Sequence, residues 1–490
     1  MSTFSSPVSP RSRVATLALS PFVAMAPWHR AVLVALVTLA LAAVGWQQQI
    51  APVPIQGMAW VFLALVLNGV LLLLPILFYR PTFGWFHPLV FALFFALLGH
   101  LRRWDVYVGG LQWHAALPGW SADHLTALVL KDLLLQAAGT AALYAGYLLG
   151  PTLGSLPITF RMPAHLARKT VVTVAAAAGI FAVYVQGRGG LISHMLSWGQ
   201  GRNEALAGAF YWQFLIQLGL LACLCWLTLD RRSTANPVFW SCTLASLTMI
   251  FLTGGSRSAV IYVMVMGLLA WLLREQKIDG VKIVAIALIG LFVLGTLGTL
   301  RNSTFNGTID WASLWGRSTA STTAETSTLN TSLTEISQRS SVYAGVFPIL
   351  GLVPTQVDYL QGSSYLAALT LPVPRALWPN KPGLIAGMVG QTFFNSAVGM
   401  PPGPVGEAYW NLGLPGVLLV FTLFGAFQKL LAETYRRCQP QTGAIVPYVI
   451  TLFLFSEPTG LAFIAWLMML VPTLGWLVAT GAVEWRSAPG

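Results

Sequence analysis

The chain has 490 residues, 56% of them hydrophobic and 9% charged, with a formal net charge of +12. Soluble domains carry about 25% charged residues, so this composition excludes a soluble enzyme and points to a polytopic membrane protein. No basic run accompanies the positive balance, which excludes nucleic acid as a partner and suits anionic lipid or a phosphorylated ligand.

A helix needs about 20 apolar residues to cross the hydrocarbon of a bilayer. Residues 1–30, with Arg11, Arg13 and Arg30, read as a cytoplasmic tail ahead of an uncleaved first span. Apolar segments then predict twelve helical spans, at 31–49, 57–79, 83–101, 124–150, 170–186, 210–229, 237–253, 258–273, 282–300, 405–428, 444–457 and 459–480. The expected fold is therefore an all-α polytopic membrane protein. His87-Pro88 and Glu457-Pro458 interrupt the third and eleventh of these segments. Lys and Arg concentrate in the tails and in the connections 80–82, 151–169, 230–236, 274–281 and 429–443, which places both termini in the cytoplasm. Residues 481–490 form the second cytoplasmic tail.

The long outer connections are 102–123, 187–209 and 301–404. Within the last, residues 317–341 hold fourteen Ser or Thr and read as a flexible surface segment. Residues 342–373 are apolar but broken by proline, and are expected as short helices on the outer interface. The four cysteines, Cys223, Cys225, Cys242 and Cys438, avoid the outer loops, so no disulfide framework is expected. Cys223-Leu224-Cys225 lacks the second ligand pair of a zinc site, and His114, His124 and His194 are scattered, so no metal is expected.

Outer connections normally shed positive charge. Here the last one keeps Arg301, Arg317, Arg339, Arg375 and Lys381, which suits an anionic substrate. Arg188 and Arg202 bracket a glycine-rich loop whose backbone can approach a ligand while guanidinium forks grip phosphate oxygens. Arg257 stands in Thr253-Gly254-Gly255-Ser256-Arg257-Ser258, where two spans meet at the outer edge. The alternative for each arginine is a side chain reaching lipid phosphates. Arg375, Trp378 and Lys381 lie in a turn stiffened by Pro372, Pro374, Pro379 and Pro382. Glu407 begins the tenth span, either as an acid complementing that helix's dipole or as a carboxylate facing an outer cavity and accepting a proton from a sugar hydroxyl. Tyr409 and Asn411 add hydrogen-bonding groups, and Trp410 offers a face for a pyranose. Glu457 is a second candidate acid at the outer edge; Glu204 is a third, next to its natural partner Arg202.

Three of these stretches, Gly255-Ser256-Arg257-Ser258, Pro374 to Pro382 and Gly406 to Gly416, follow an order that resembles the O-antigen polymerases (Wzy-type) and related exopolysaccharide repeat-unit polymerases. The first half of the chain resembles that family only in hydropathy. The resemblance implies a metal-independent GT-C-type glycosyltransferase of the bacterial inner membrane, without a cofactor. It would transfer a growing glycan from undecaprenyl pyrophosphate to a hydroxyl of the next lipid-linked oligosaccharide on the periplasmic face. Arg257, Arg375 and Lys381 would hold the departing pyrophosphate, and Glu407 and Tyr409 would lie at the acceptor or donor sugar. The loop from Arg188 to Arg202 looks like the family's other outer arginine loop. Implied partners are the lipid-linked oligosaccharide, membrane lipids and a chain-length-regulating copolymerase. An O-antigen ligase would share the donor. A twelve-span secondary transporter would instead need half-to-half symmetry and ionisable groups at the midplane, where the sequence offers only the adjacent pair Lys131 and Asp132.

Overall fold

In the computed structural model the described residues are 22–50, 57–78, 83–102, 120–152, 158–200, 209–255, 257–277, 345–370, 383–396, 399–438 and 442–485, with single positions at 280, 288, 290, 373, 377, 378 and 381. They are mostly helical. Helices α1 (Pro27–Ile50), α2 (Met58–Leu77), α3 (Pro88–Arg102) and α4 (Ala122–Leu149) precede a short strand β1 (Ile158–Phe160). There follow α5 (Leu166–Gln186), the short α6 (Leu191–Gln200), α7 (Ala209–Leu229), α8 (Pro237–Gly254) and α9 (Arg257–Glu275). Three short helices, α10 (Val346–Leu352), α11 (Ser363–Thr370) and α12 (Ile385–Phe394), lead to α13 (Gly403–Cys438), α14 (Ile445–Leu454), α15 (Gly460–Ala479) and strand β2 (Val483–Trp485).

Among the described residues seven helices, α2, α4, α5, α7, α8, α13 and α15, are long and apolar enough to cross a membrane. Helix boundaries fall where the local chemistry puts them. Ser121, Asn236 and Thr459 each accept a backbone N–H of the first turn, from His124, Val238 and Ala462, so they start α4, α8 and α15. Prolines shorten two of the expected spans: α3 begins only at Pro88, and α14 stops at Leu454, ahead of Pro458. The expected span 282–300 lies outside the described residues apart from two single positions.

Two apolar clusters form the core. One joins α5, α7, α8, α9 and α14, and the other joins α2, α3, α4 and α10, while α13 contributes to both. The α4–α13 crossing is close enough for backbones to touch. A Cβ on Gly146 would lie 1.9 Å from the Thr422 carbonyl oxygen, and one on Gly425 would lie 2.0 Å from that of Leu143. Helix α10 belongs to this packed core, with Val346 to Leu350 all buried, and so does not rest on the lipid interface as the apolar run suggested.

At one end of the bundle, cations hold the last carbonyls of four helices. Arg30 donates to Ile76 of α2 (2.9 Å), Lys429 to Leu148 of α4 (3.1 Å), Arg274 to Leu227 of α7 (2.6 Å) and Lys169 to Thr480 behind α15 (2.8 Å). Positive charge at a helix C-terminus also complements the helix dipole. Here β1 pairs antiparallel with β2, Ile158 opposite Trp485 and Phe160 opposite Val483, and Arg161 forms an ion pair with Glu484. Described residues of the connections 151–169, 230–236, 274–281 and 429–443 take part in these contacts.

Candidate functional site

The opposite end is organised by a break in α13. The helix runs regularly to Asn411 and loses helical geometry at Leu412 (φ −145°, ψ 17°) and Gly413 (φ 66°, ψ −150°). That second conformation is open essentially to glycine alone, and a Cβ there would also come within 2.9 Å of the Tyr359 hydroxyl. Pro415 has no N–H, so the Asn411 carbonyl has no donor one turn on. The chain leading into α11 fills the gap: Leu360 N–H donates to the Trp410 carbonyl (2.9 Å) and Gln361 N–H to that of Asn411 (3.0 Å).

On the same face of the break, Glu407 is 1% exposed and has both carboxylate oxygens engaged. Its Oε1 accepts from the Ser364 hydroxyl (2.9 Å) and its Oε2 from the Gly460 N–H (3.1 Å). Asn411 Nδ2 donates to Ser364 Oγ (2.8 Å) and to the Glu407 carbonyl (2.7 Å). Since Gly460 opens α15, the carboxylate complements the dipole of α15 rather than that of its own helix. Glu407 and Asn411 are therefore brought together, through Ser364. Beside Ser364, the Tyr365 phenol is pushed above its usual range by burial and then by the Glu407 charge, so it stays protonated.

Tyr409 faces the other way. Its ring lies under the Lys131 ammonium, 4.6 Å from the centroid, and Lys131 also donates to the Leu350 carbonyl in the last turn of α10 (2.8 Å). Trp410 is 1% exposed, packs against Phe393 and donates to the Asp358 carbonyl (3.2 Å). It is a core residue, and the expectation that its face stacks on a pyranose is corrected: the start of α13 is covered by α12 and by the chain before α11. Trp378 is 40% exposed. Lys381 is half-buried and closes its turn by donating to the Val373 carbonyl (2.8 Å). Arg188 belongs to another corner, with its guanidinium 5.6 Å from the Tyr184 ring centroid. There His194 packs edge-on against Tyr184 and its Nε2 bonds the carbonyls of Leu252 (3.0 Å) and Thr253 (3.1 Å), next to the start of α9 at Arg257. Arg202, Arg375, Arg301, Arg317, Arg339 and Glu204 lie outside the described residues.

A cavity of about 440 Å³ extends from this end into the bundle between α2, α3, α4, α13 and α15. Pro404, Glu457 and Thr459 border it near the starts of α13 and α15, and its wall on α4 carries Asp132, Gln136 and Thr140, at successive turns of one helical face. Asp132 is fully buried and accepts from Gln136 Nε2 (2.7 Å). Lys131 and Asp132 do point apart, as adjacent helical residues must. Among the described residues no three His, Cys, Asp or Glu side chains are grouped as a metal site would need. Sequence reasoning missed Ser364, Tyr365 and the cavity-facing role of Asp132. The spacing of Asp132, Gln136 and Thr140 inside an apolar span was the available signal for the last.

Fold and site together define a multi-pass helical membrane protein with a polar, broken-helix joint at one end. Residues 205–438 match a family described as a domain of unknown function (DUF8712), a stretch that runs from just before α7 to the last residue of α13. No curated protein and no solved structure matches the chain.

Proposed function

We propose that this protein is a twelve-span, GT-C-type polysaccharide polymerase of the bacterial inner membrane with both termini in the cytoplasm. It joins undecaprenyl-pyrophosphate-linked oligosaccharide units on the periplasmic face. One observation carries the reading: the short helices α10 and α11 pack on the broken start of α13, with Phe393 of α12 against Trp410, beside a cavity that runs into the bundle. An enzyme acting on a lipid-linked sugar needs a polar site at the interface with access from the bilayer. The leaving diphosphate gains negative charge as the anomeric bond breaks, and fixed cations lower that barrier. Arg375, Arg257 and Lys381 are assigned to it, with Arg188 and Arg202 as further phosphate or sugar contacts and Trp378 as an exposed stacking face. Glu407, Tyr409 and Asn411 hold the joint at the start of α13.

The test is purified protein in liposomes supplied with lipid-linked repeat units, scored for a polymer ladder. Absence of any polymer from intact protein overturns the reading. In cells, loss of the ladder with single-unit caps retained indicates a polymerase, and loss of all caps a ligase. Buried Asp132 on a cavity wall within a span favours a second reading, a secondary transporter. Substrate uptake into the same liposomes without polymer would select it.

A further inference from the structure

Three carboxylates lie at the joint or along the cavity, and they differ in setting. Glu407 has both oxygens committed, to Ser364 and Gly460, and is not among the residues bordering the cavity. Asp132 sits ten residues into α4, about 15 Å below its start at 1.5 Å per residue, and accepts from Gln136. Glu457 is half-buried, borders the cavity, and stands in the non-helical step between α14 and α15. Its backbone there is fixed by Pro458 and by the Thr459 N–H, which donates to the Glu457 carbonyl (3.0 Å).

The cavity itself has a chemical bias. The α4 wall offers a carboxylate, an amide and a hydroxyl in line, while Phe421, Phe424 and Phe453 supply aromatic surface. Hydrogen-bonding groups facing aromatic rings suit a pyranose, whose hydroxyls and C–H faces lie on different sides. Among the described residues bordering it there is no Lys or Arg.

We infer that this cavity receives the acceptor sugar and that Glu457, on its border, is the catalytic residue that takes the proton from the attacking hydroxyl. The assignment rests on the glycosyl-transfer reading above. In the step, the hydroxyl oxygen forms the new bond to the anomeric carbon and its proton passes to the Glu457 carboxylate. The anomeric carbon–oxygen bond to the pyrophosphate breaks, and its electron pair leaves on the lipid diphosphate. Glu457 acts electrostatically on Glu407 of α13, and among the described residues Asp132 on α4, His100 on α3 and Tyr262 on α9 border the same cavity.

The experiment uses full-length protein in liposomes with lipid-linked oligosaccharide, and follows rate against substrate and pH. Glu457→Gln is expected to lower kcat by about 10²- to 10⁴-fold, to leave KM nearly unchanged and to abolish the acidic limb of the pH–rate profile. Wild-type rate with the acidic limb intact in this variant overturns the assignment while the polymerase reading stands. If wild-type protein forms no polymer at all, both fall together. Should the amide variant fail to fold, Glu457→Asp decides: moving the carboxylate back by one methylene is expected to lower kcat about tenfold or more, and an unchanged kcat overturns the assignment.

Discussion

Replacing Glu407 tests whether the joint between α11, α13 and α15 is what holds this end together. In Glu407→Ala the buried Gly460 N–H loses its acceptor, and the Ser364 hydroxyl keeps only its bond from Asn411. Leaving a buried donor unpaired costs about 1–3 kcal/mol, and a hydrogen bond to a charged group is worth about 1.5–3 kcal/mol. The expected loss is about 3–5 kcal/mol, concentrated at the starts of α11 and α15. Glu407→Gln keeps one acceptor oxygen. With that oxygen turned to Gly460, its amide must donate to a Ser364 oxygen that already accepts from Asn411, for a cost of about 1–2 kcal/mol. Hydrogen exchange on detergent-solubilised protein reads this directly. Local opening weakened by about 3–5 kcal/mol should speed exchange at 363–370 and 460–464 by roughly two to four orders of magnitude in the alanine variant, and by about tenfold in the glutamine variant. Exchange within about twofold of wild type in Glu407→Ala would refute the latch. Wild-type exchange with lost polymer in Glu407→Gln would show instead that the carboxylate is needed chemically.

Gly413→Ala should cost about 1–3 kcal/mol in denaturant titration of the purified protein, and Tyr359→Phe in the same chain should recover part of it by withdrawing the hydroxyl that the new Cβ meets at 2.9 Å. Arg375→Ala and Arg375→Lys are both expected to abolish the glycan ladder with membrane abundance unchanged on immunoblots; a normal ladder from the lysine variant would remove the case for a bidentate guanidinium. Burial lowers the His194 pKa below its ordinary 6.5, outweighing its carbonyl partners. The neutral ring is thus favoured in the folded chain, so the docking of α6 on α8 should be complete above pH 6.5 and weaken as pH falls below it. Exchange at 191–200, corrected for intrinsic rates, should accelerate between pH 7 and 5, and His194→Gln should remove that dependence.

Long unbroken apolar runs were legible almost to the residue. The expected 237–253 appears as Pro237–Gly254, 210–229 as Ala209–Leu229 and 124–150 as Ala122–Leu149, because hydropathy fixes the length and a cap marks the start of the first and the last of these. Prolines also flagged the two segments that came out short. The motif from Gly406 to Gly416 was visible as a pattern, but its meaning was not. Glu407 finds Ser364 at 43 residues' distance and Gly460 at 53, and single polar pairings of that kind leave no period in the sequence. Trp410 illustrates the converse error: an aromatic beside candidate polar groups reads as a binding face until the elements that cover it are known. The Lys and Arg of the opposite end were read for orientation alone, whereas four of them also finish helices.

The pairing of β1 with β2 joins residues 325 positions apart, Thr159 to Glu484. During synthesis β1 emerges early and must wait, with its edge unpaired, while every later helix is inserted. Only when α15 is in place can the closing strand arrive. A ribosome stalled a few codons short would release a chain with all its apolar helices made but this clasp open, and a fusion partner placed directly behind Trp485 would crowd the same seam.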